Sequence, residues 1–234
     1  MQYVPISLPF FLAFWLLFGL VAGLIQIGIL QYVFDTMGVS RRYMFTLLVC
    51  CLLGSYINIP VAELASHPVR TGGVVDFFGV RYVVPVTAHS PGTVLAVNVG
   101  GAVIPFLLSL YLIFKHGLYL RAVIAVAIVT VVVHWEAHVV PGVGIAVPIF
   151  VPPLVTAVVA LAISRQKAAP LAYVAGSMGT LIGADLRNLN KISIMGAPVA
   201  SIGGAGKFDG IFLTGLVAVL MASLFGGRKR ASTG

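Results

Sequence analysis

The sequence predicts an all-α integral membrane protein. It is expected to have about seven transmembrane helices, N-out and C-in, a small extracytoplasmic β-hairpin, and a Gly-rich re-entrant loop before the last helix. Three observations predict this. The 234 residues are 60% hydrophobic and only 9% charged, whereas a soluble domain carries about 25% charged residues. The apolar residues fall into long runs, enough for roughly seven spans of about 20 residues each. The basic residues gather at the ends of those runs, where they set orientation. This composition excludes a soluble enzyme, a disordered chain and a coiled coil. The net charge of +8 comes with no basic stripe and no interleaved aromatics, so nucleic acid is excluded as a partner. The lipid bilayer is the first partner.

The runs follow in order. The first covers about 8–34; it has no basic n-region and is too long for a signal h-region, so it reads as a retained span. Arg41 and Arg42 precede a second span at about 43–60. Within it, the adjacent Cys50 and Cys51 read as buried inert thiols, since neighbouring cysteines bridge each other only with strain. The third span, about 93–114, is closed by Lys115, His116 and Arg121, and the fourth covers about 118–135. The fifth, about 145–163, is closed by Arg165 and Lys167; the sixth covers about 168–185 and the seventh about 210–225. Five regions result: two N-terminal helices (1–60), a hairpin cap (61–91), a four-helix bundle (92–185), the re-entrant loop with the last helix (186–227) and a basic cytoplasmic tail (228–234). Within the bundle, the Pro-Gly pairs Pro91-Gly92 and Pro141-Gly142 suggest two repeats of fifty residues.

Orientation comes from alternate loops. With the N-terminus outside, nine Lys and Arg lie inside and five outside, which fits N-out and C-in. The acids Glu63, Asp76, Glu136, Asp185 and Asp209 then fall at the outer face, as do His67, His89, His134 and His138. The protein is expected in a prokaryotic cytoplasmic membrane, with its polar site on the extracytoplasmic side. In the cap, Val74–Phe77 and Val80–Val84 flank a two-residue turn. That register puts Asp76 opposite Arg81, a structural pair.

The two candidate catalytic residues are Asp185, at the end of the sixth span, and Asp209, at the start of the seventh. An ionisable group at membrane depth is costly and marks a functional site by default. The helix dipole favours a carboxylate at an N-terminus and disfavours one at a C-terminus, so facing aspartates here would have their proton affinities pushed apart. The structural alternatives are an N-cap role for Asp209 and pairing of Asp185 with Arg187 or Lys191. Between them, Ile192–Gly206 is too Gly- and Pro-rich for a span and too apolar for an aqueous loop. A re-entrant loop lining a polar cavity fits, with Asn188, Gly203, Gly204, Gly206 and Lys207 around the site. A second cluster, His134-Trp135-Glu136-Ala137-His138, completed by His89 or His67, has donor types that could hold zinc, but its spacing is not that of His-Glu-x-x-His proteases. The alternative is a set of interfacial histidines anchored by Trp135. No cofactor is otherwise expected. Asn58, Asn98, Gln26 and Gln31 read as interhelical hydrogen-bond partners.

The run Gly196-Ala-Pro-Val-Ala-Ser-Ile-Gly-Gly-Ala-Gly206, then Phe208-Asp-Gly-Ile-Phe-Leu-Thr-Gly215, with the upstream Gly183-Ala-Asp-Leu, resembles the signature of a family of uncharacterised bacterial and archaeal membrane proteins. The resemblance covers the last third of the chain and implies that the two aspartates belong together. Lys207 stands where a small polar residue is expected. More loosely, the order Asp185, apolar loop, Gly204-Ala-Gly206, Asp209 is similar to that of the diaspartyl intramembrane proteases of the presenilin and prepilin-peptidase type. Three departures stand out: Lys207 and Phe208 separate the glycines from Asp209, no Pro-Ala-Leu motif follows, and the expected topology puts the pair on the outer side whereas those enzymes resemble one another in working near the inner side. The expected function is therefore an intramembrane aspartyl-type hydrolase with a membrane-embedded or extracytoplasmic substrate. The alternatives are a proton- or cation-coupled transporter or channel, and an accessory subunit of a larger membrane complex or homo-oligomer.

Overall fold

The computed structural model describes residues 8–64, 73–77, 80–84, 93–140, 144–192, 199–204 and 210–226. Seven α-helices are present among them: α1 (Leu8–Met37), α2 (Arg41–Gly54), α3 (Ile104–His116), α4 (Tyr119–Glu136), α5 (Val151–Ile163), α6 (Ala168–Thr180) and α7 (Gly210–Phe225). The strands are β1 (Asn58–Leu64), β2 (Gly73–Phe77), β3 (Val80–Val84), β4 (Thr93–Asn98), β5 (His138–Val140), β6 (Gly144–Ala146) and β7 (Val199–Ile202). Two helical stretches are long and apolar enough to cross a membrane, Val99–His116 and Tyr119–Glu136. A third counts if Gln26–Met37 and Arg41–Gly54, bent by 110°, form one broken span. Val151–Ile163 and Gly210–Phe225 are apolar but shorter.

Helix α6 is the axis of the molecule. It is buried at every position from Pro170 to Thr180, and α3, α4, α5 and α7 pack around it. Small residues make this possible, because apolar helices in lipid associate by close backbone approach. A Cβ on Gly179 would lie 2.5 Å from Val129 Cγ1, and one on Gly183 2.7 Å from the Thr130 carbonyl oxygen. On the α7 side, a Cβ on Gly215 would lie 2.5 Å from Ser177 Oγ. The outer surfaces carry large exposed apolar side chains such as Leu120, Trp135, Phe150 and Phe225.

The helix joints explain how the chain folds back. Gly38 adopts φ +79° and Gly117 φ +59°, the left-handed conformation that ends helices cheaply at glycine. Prolines open α3 and α5 in their first turns, where no amide hydrogen is needed. At this end of the bundle, cations close the turns. Lys115 Nζ donates to the Gly38 carbonyl at 2.5 Å, Lys167 Nζ to the His116 carbonyl at 2.5 Å, and Arg121 to Ser164 Oγ at 3.3 Å. Arg41 pairs with Asp35 at 2.7 Å. Lys115, Arg121 and Lys167 thus meet at one end, with Arg41 nearby.

The other end is not helical, and here the expected spans need correction. The second span stops at Gly54, and β1 takes over at Asn58. The third begins as a strand over Thr93–Asn98. The fifth begins with β6 before α5. Part of the expected re-entrant loop is likewise a strand, β7, parallel to β4 with Val94 opposite Val199 and Val97 opposite Ile202. β4 also pairs antiparallel with β1, giving the order β1-β4-β7. The physical reason is the same for each: ladder pairing satisfies backbone groups that an unpaired buried loop would leave open. The β2–β3 hairpin has the expected register, with Asp76 opposite Arg81. Cys50 is exposed and Cys51 buried, and neither is bridged in a disulfide, so only one of the two thiols is interior.

Candidate functional site

The site lies where α6 meets the sheet. After Thr180 the helix widens into a π-turn, Leu181–Asp185, and then tightens into a 3-10 turn, Leu186–Lys191. π-turns insert a residue into a helix and recur at functional positions. This one leaves Asp185 half-buried, with Oδ2 accepting a hydrogen bond from the Gly203 N–H at 2.7 Å. Gly203 directly follows β7 and has φ +94°. A Cβ there would lie 2.6 Å from the Ala102 nitrogen. Only glycine brings this amide to the carboxylate.

Asn188 fixes the π-turn from below. It is fully buried, and its Nδ2 donates to the Ala184 carbonyl at 2.8 Å and the Gly183 carbonyl at 3.2 Å. Its Nδ2 also stands 3.4 Å from His134 Nδ1 on α4. The Asn188 Oδ1 is buried without a hydrogen-bond partner, a state that costs about 1–3 kcal/mol.

A second π-turn, Val99–Val103, opens the α3 helix on the opposite side of Gly203. Asn98 caps it, accepting from the Gly101 amide at 2.8 Å. Its Nδ2 donates to the Ser55 carbonyl at 2.8 Å and to Asn58 Oδ1 at 3.0 Å. Ser201 Oγ of β7 donates to the same Asn58 oxygen at 2.6 Å. Asn58 and Asn98 are thus hydrogen-bond partners, as expected, though between strands rather than between helices. Ser201 carries no sequence signal of its own; its position on a strand beside β4 is the missing clue.

Of the expected site residues, Asp185, Asn188 and Gly203 sit together, and Gly204 follows with φ +96°. Asp209, Gly206, Lys207 and His89 lie outside the described residues, as does His67. The first turn of α7, with Ile211, packs with Ala102, Met178 and Leu181, so the helix that Asp209 precedes starts beside the π-turn. The proposed pairing of Asp185 with Arg187 or Lys191 is not among the ion pairs of the described residues. The histidine cluster divides. His134 faces Asn188, whereas His138 Nδ1 meets the Glu136 carbonyl at 2.7 Å. No group of three His, Cys, Asp or Glu that could hold a metal occurs among the described residues.

A cavity of about 490 Å³ opens elsewhere, in the angle between α1 and α2 above α7. It is apolar apart from Gln26 and Ser55, and its lining does not include Asp185. This cavity is therefore not the polar one expected beside the aspartates.

Residues 52–221 match the family model described as protein of unknown function (DUF1614). The chain belongs to that family, and the matched region holds both π-turns, the sheet and the Asp185 site. No curated protein and no solved structure matches the chain.

Proposed function

We propose that the chain is an intramembrane aspartyl-type hydrolase in which Asp185 and Asp209 activate water for attack on an extended substrate segment. In this reading, seven spans run N-out and C-in, counting the shorter apolar helices, and the sheet end faces the extracytoplasmic side. One observation carries the proposal. The Asp185 carboxylate is hydrogen-bonded to Gly203, the residue that follows β7, and β7 has β4 as its strand neighbour among the described residues. A strand edge beside an acid is suited to an extended peptide, which adds by main-chain hydrogen bonds. Asp209 lies six residues beyond Gly203, close enough in sequence to face the same segment.

The roles divide by position. One aspartate takes the proton of the attacking water as general base. The other, protonated, donates to the carbonyl oxygen that becomes negative. Like-charged neighbours share one proton for this purpose. The test is cleavage of membrane-spanning reporter peptides by the purified protein in vesicles. Asp185→Asn and Asp209→Asn should each abolish cleavage with the fold retained. Persistence of cleavage in both variants would overturn the reading.

A cation-coupled transporter is the second reading. The two π-turns, at Val99–Val103 and Leu181–Asp185, break their helices at the same end of the bundle. Interrupted helices of this kind line ion and substrate sites in transporters.

A further inference from the structure

The cavity between α1, α2 and α7 lies apart from the Asp185 site, and its walls share one chemistry. Its volume of about 490 Å³ falls within the range of about 300–1,000 Å³ for sites that hold one small molecule. Val33, Cys51, Phe212 and Leu216 form a buried floor, and Ile29, Leu52 and Leu213 form an exposed rim. Beyond the rim, Val49 and Leu53 continue the exposed apolar surface along α2. No charged side chain lines the space among the described residues. Of its two polar lining residues, Gln26 and Ser55, the second already donates from Oγ to the Cys51 carbonyl at 2.7 Å.

The walls are held in place at opposite ends. Near the basic end α1 is tied to α7: Ser223 Oγ donates to Thr36 Oγ1 at 3.2 Å, and the Tyr32 hydroxyl donates to the Ser223 carbonyl at 3.4 Å. At the sheet end α2 is pressed on the π-turn that opens α3. A Cβ on Gly54 would lie 2.9 Å from the Gly100 nitrogen, and the Ser55 carbonyl accepts from Asn98 Nδ2 at 2.8 Å. Between these ties α1 and α2 are bent apart by 110°. The space is a wedge between anchored helices, so it does not close by collapse.

The walls select the occupant. A bound water needs two to four polar partners, which this lining does not offer. An empty apolar void forfeits the contacts of every atom around it. A straight helix packs at a near-constant 8–10 Å from its neighbours, whereas a wedge widens along its length. A flexible hydrocarbon chain conforms to such a shape and restores the missing contacts.

We propose that this cleft binds one acyl chain of a bilayer phospholipid, inserted laterally between α1 and α2 onto α7. The headgroup stays outside, because no cation lines the cleft to hold a phosphate. Binding therefore selects for the chain and is indifferent to headgroup charge. The bound chain braces α2 beside Ser55, whose carbonyl joins the Asn98–Asn58 network of the sheet. The site does not depend on Asp185 chemistry; it rests only on the chain lying in a bilayer.

The test uses the full chain in phosphatidylcholine vesicles containing a phosphatidylcholine with a diazirine in mid-chain. On illumination the diazirine loses nitrogen, and the carbene left behind inserts into neighbouring bonds; peptide mass spectrometry locates the attachment. Bulk lipid should label exposed residues of α4 such as Val123 and Val131, and leave the fully buried Ala172 and Val174 of α6 unlabelled. The floor residues Val33, Cys51, Phe212 and Leu216 should be labelled at least about tenfold more than those α6 residues despite their burial. A phosphatidylglycerol probe should give the same floor labelling. Ile29→Trp and Leu52→Trp, which lay an indole across the mouth from opposite walls, should each lower floor labelling about tenfold and leave Val123 and Val131 unchanged. Floor labelling no greater than that of Ala172 and Val174 would overturn the proposal. So would floor labelling that persists in both tryptophan variants, or one that appears with phosphatidylglycerol alone. A bare floor together with a crosslinked dimer would assign the cleft to a second copy of the chain instead. Absence of label on Val123 and Val131 would count against the bilayer setting itself, whereas peptide cleavage bears on the hydrolase alone.

Discussion

Asp185 and Gly203 stand eighteen residues apart in the chain, yet the Gly203 amide donates to Asp185 Oδ2 at 2.7 Å. The contact ties the end of the central helix to the end of a strand. It depends on a backbone shape at Gly203 that other residues adopt with strain.

Gly203→Ala should therefore be costly. The new methyl meets the Ala102 nitrogen at 2.6 Å in a backbone with φ +94°. Strain of this kind costs of order 1–3 kcal/mol, and the clash adds to it. Gly204→Ala is the control: φ is +96°, but nothing lies within 4 Å, so only the left-handed penalty of about 1–2 kcal/mol applies. Thermal unfolding in detergent should rank Gly203→Ala well below Gly204→Ala.

Asn188→Leu should loosen the π-turn. It removes the donor shared by the Gly183 and Ala184 carbonyls, and buried carbonyls left without partners cost about 1–3 kcal/mol. A lower midpoint and faster amide exchange over 181–188 are expected. An unchanged exchange rate there would show that Asn188 does not hold the turn.

Gly179→Ala should separate α4 from α6. The methyl would lie 2.5 Å from Val129 Cγ1 and 2.7 Å from its Cβ, and overpacking of a close-packed interior costs about 1–3 kcal/mol. The double variant Gly179→Ala with Val129→Ala should recover part of the loss, because the second change opens the space the first one needs.

Arg41→Gln should change little. Its partner Asp35 is 2.7 Å away, but both side chains are largely exposed. Asp35 holds the Arg41 guanidinium above its ordinary proton affinity, first through the hydrogen bond and then through charge, so Arg41 stays cationic throughout the range where the protein is handled. Pairs of this kind are screened by salt and contribute little. The unfolding midpoint of the variant should match the wild type at high ionic strength.

What could be read from the sequence depended on whether a residue signals its environment locally. The last helix, expected near 210–225, is Gly210–Phe225, because an uninterrupted apolar run after a glycine has few alternatives. The hairpin register at Asp76 and Arg81 follows from a two-residue turn between Val-rich runs. By contrast, β4 and β7 are short and mostly apolar, and periodicity does not distinguish such a strand from a piece of helix. The π-turn at Leu181–Asp185 leaves no trace in composition, since one extra residue per turn changes no residue type. At the site, Asp185, Asn188 and Gly203 stood out through charge, amide and glycine in an apolar setting.

The parallel pairing of β4 with β7 carries a consequence for biogenesis. Parallel strands cannot be joined by a tight turn, and here the connection between them contains α3, α4, α5 and α6. Pairing across so long a loop waits until the intervening chain is in place. The nascent protein would hold its first six helices before the ladder could close. The Asp185–Gly203 contact is consequently among the last to form, and a chain truncated before residue 199 would carry the acid without the amide that holds it.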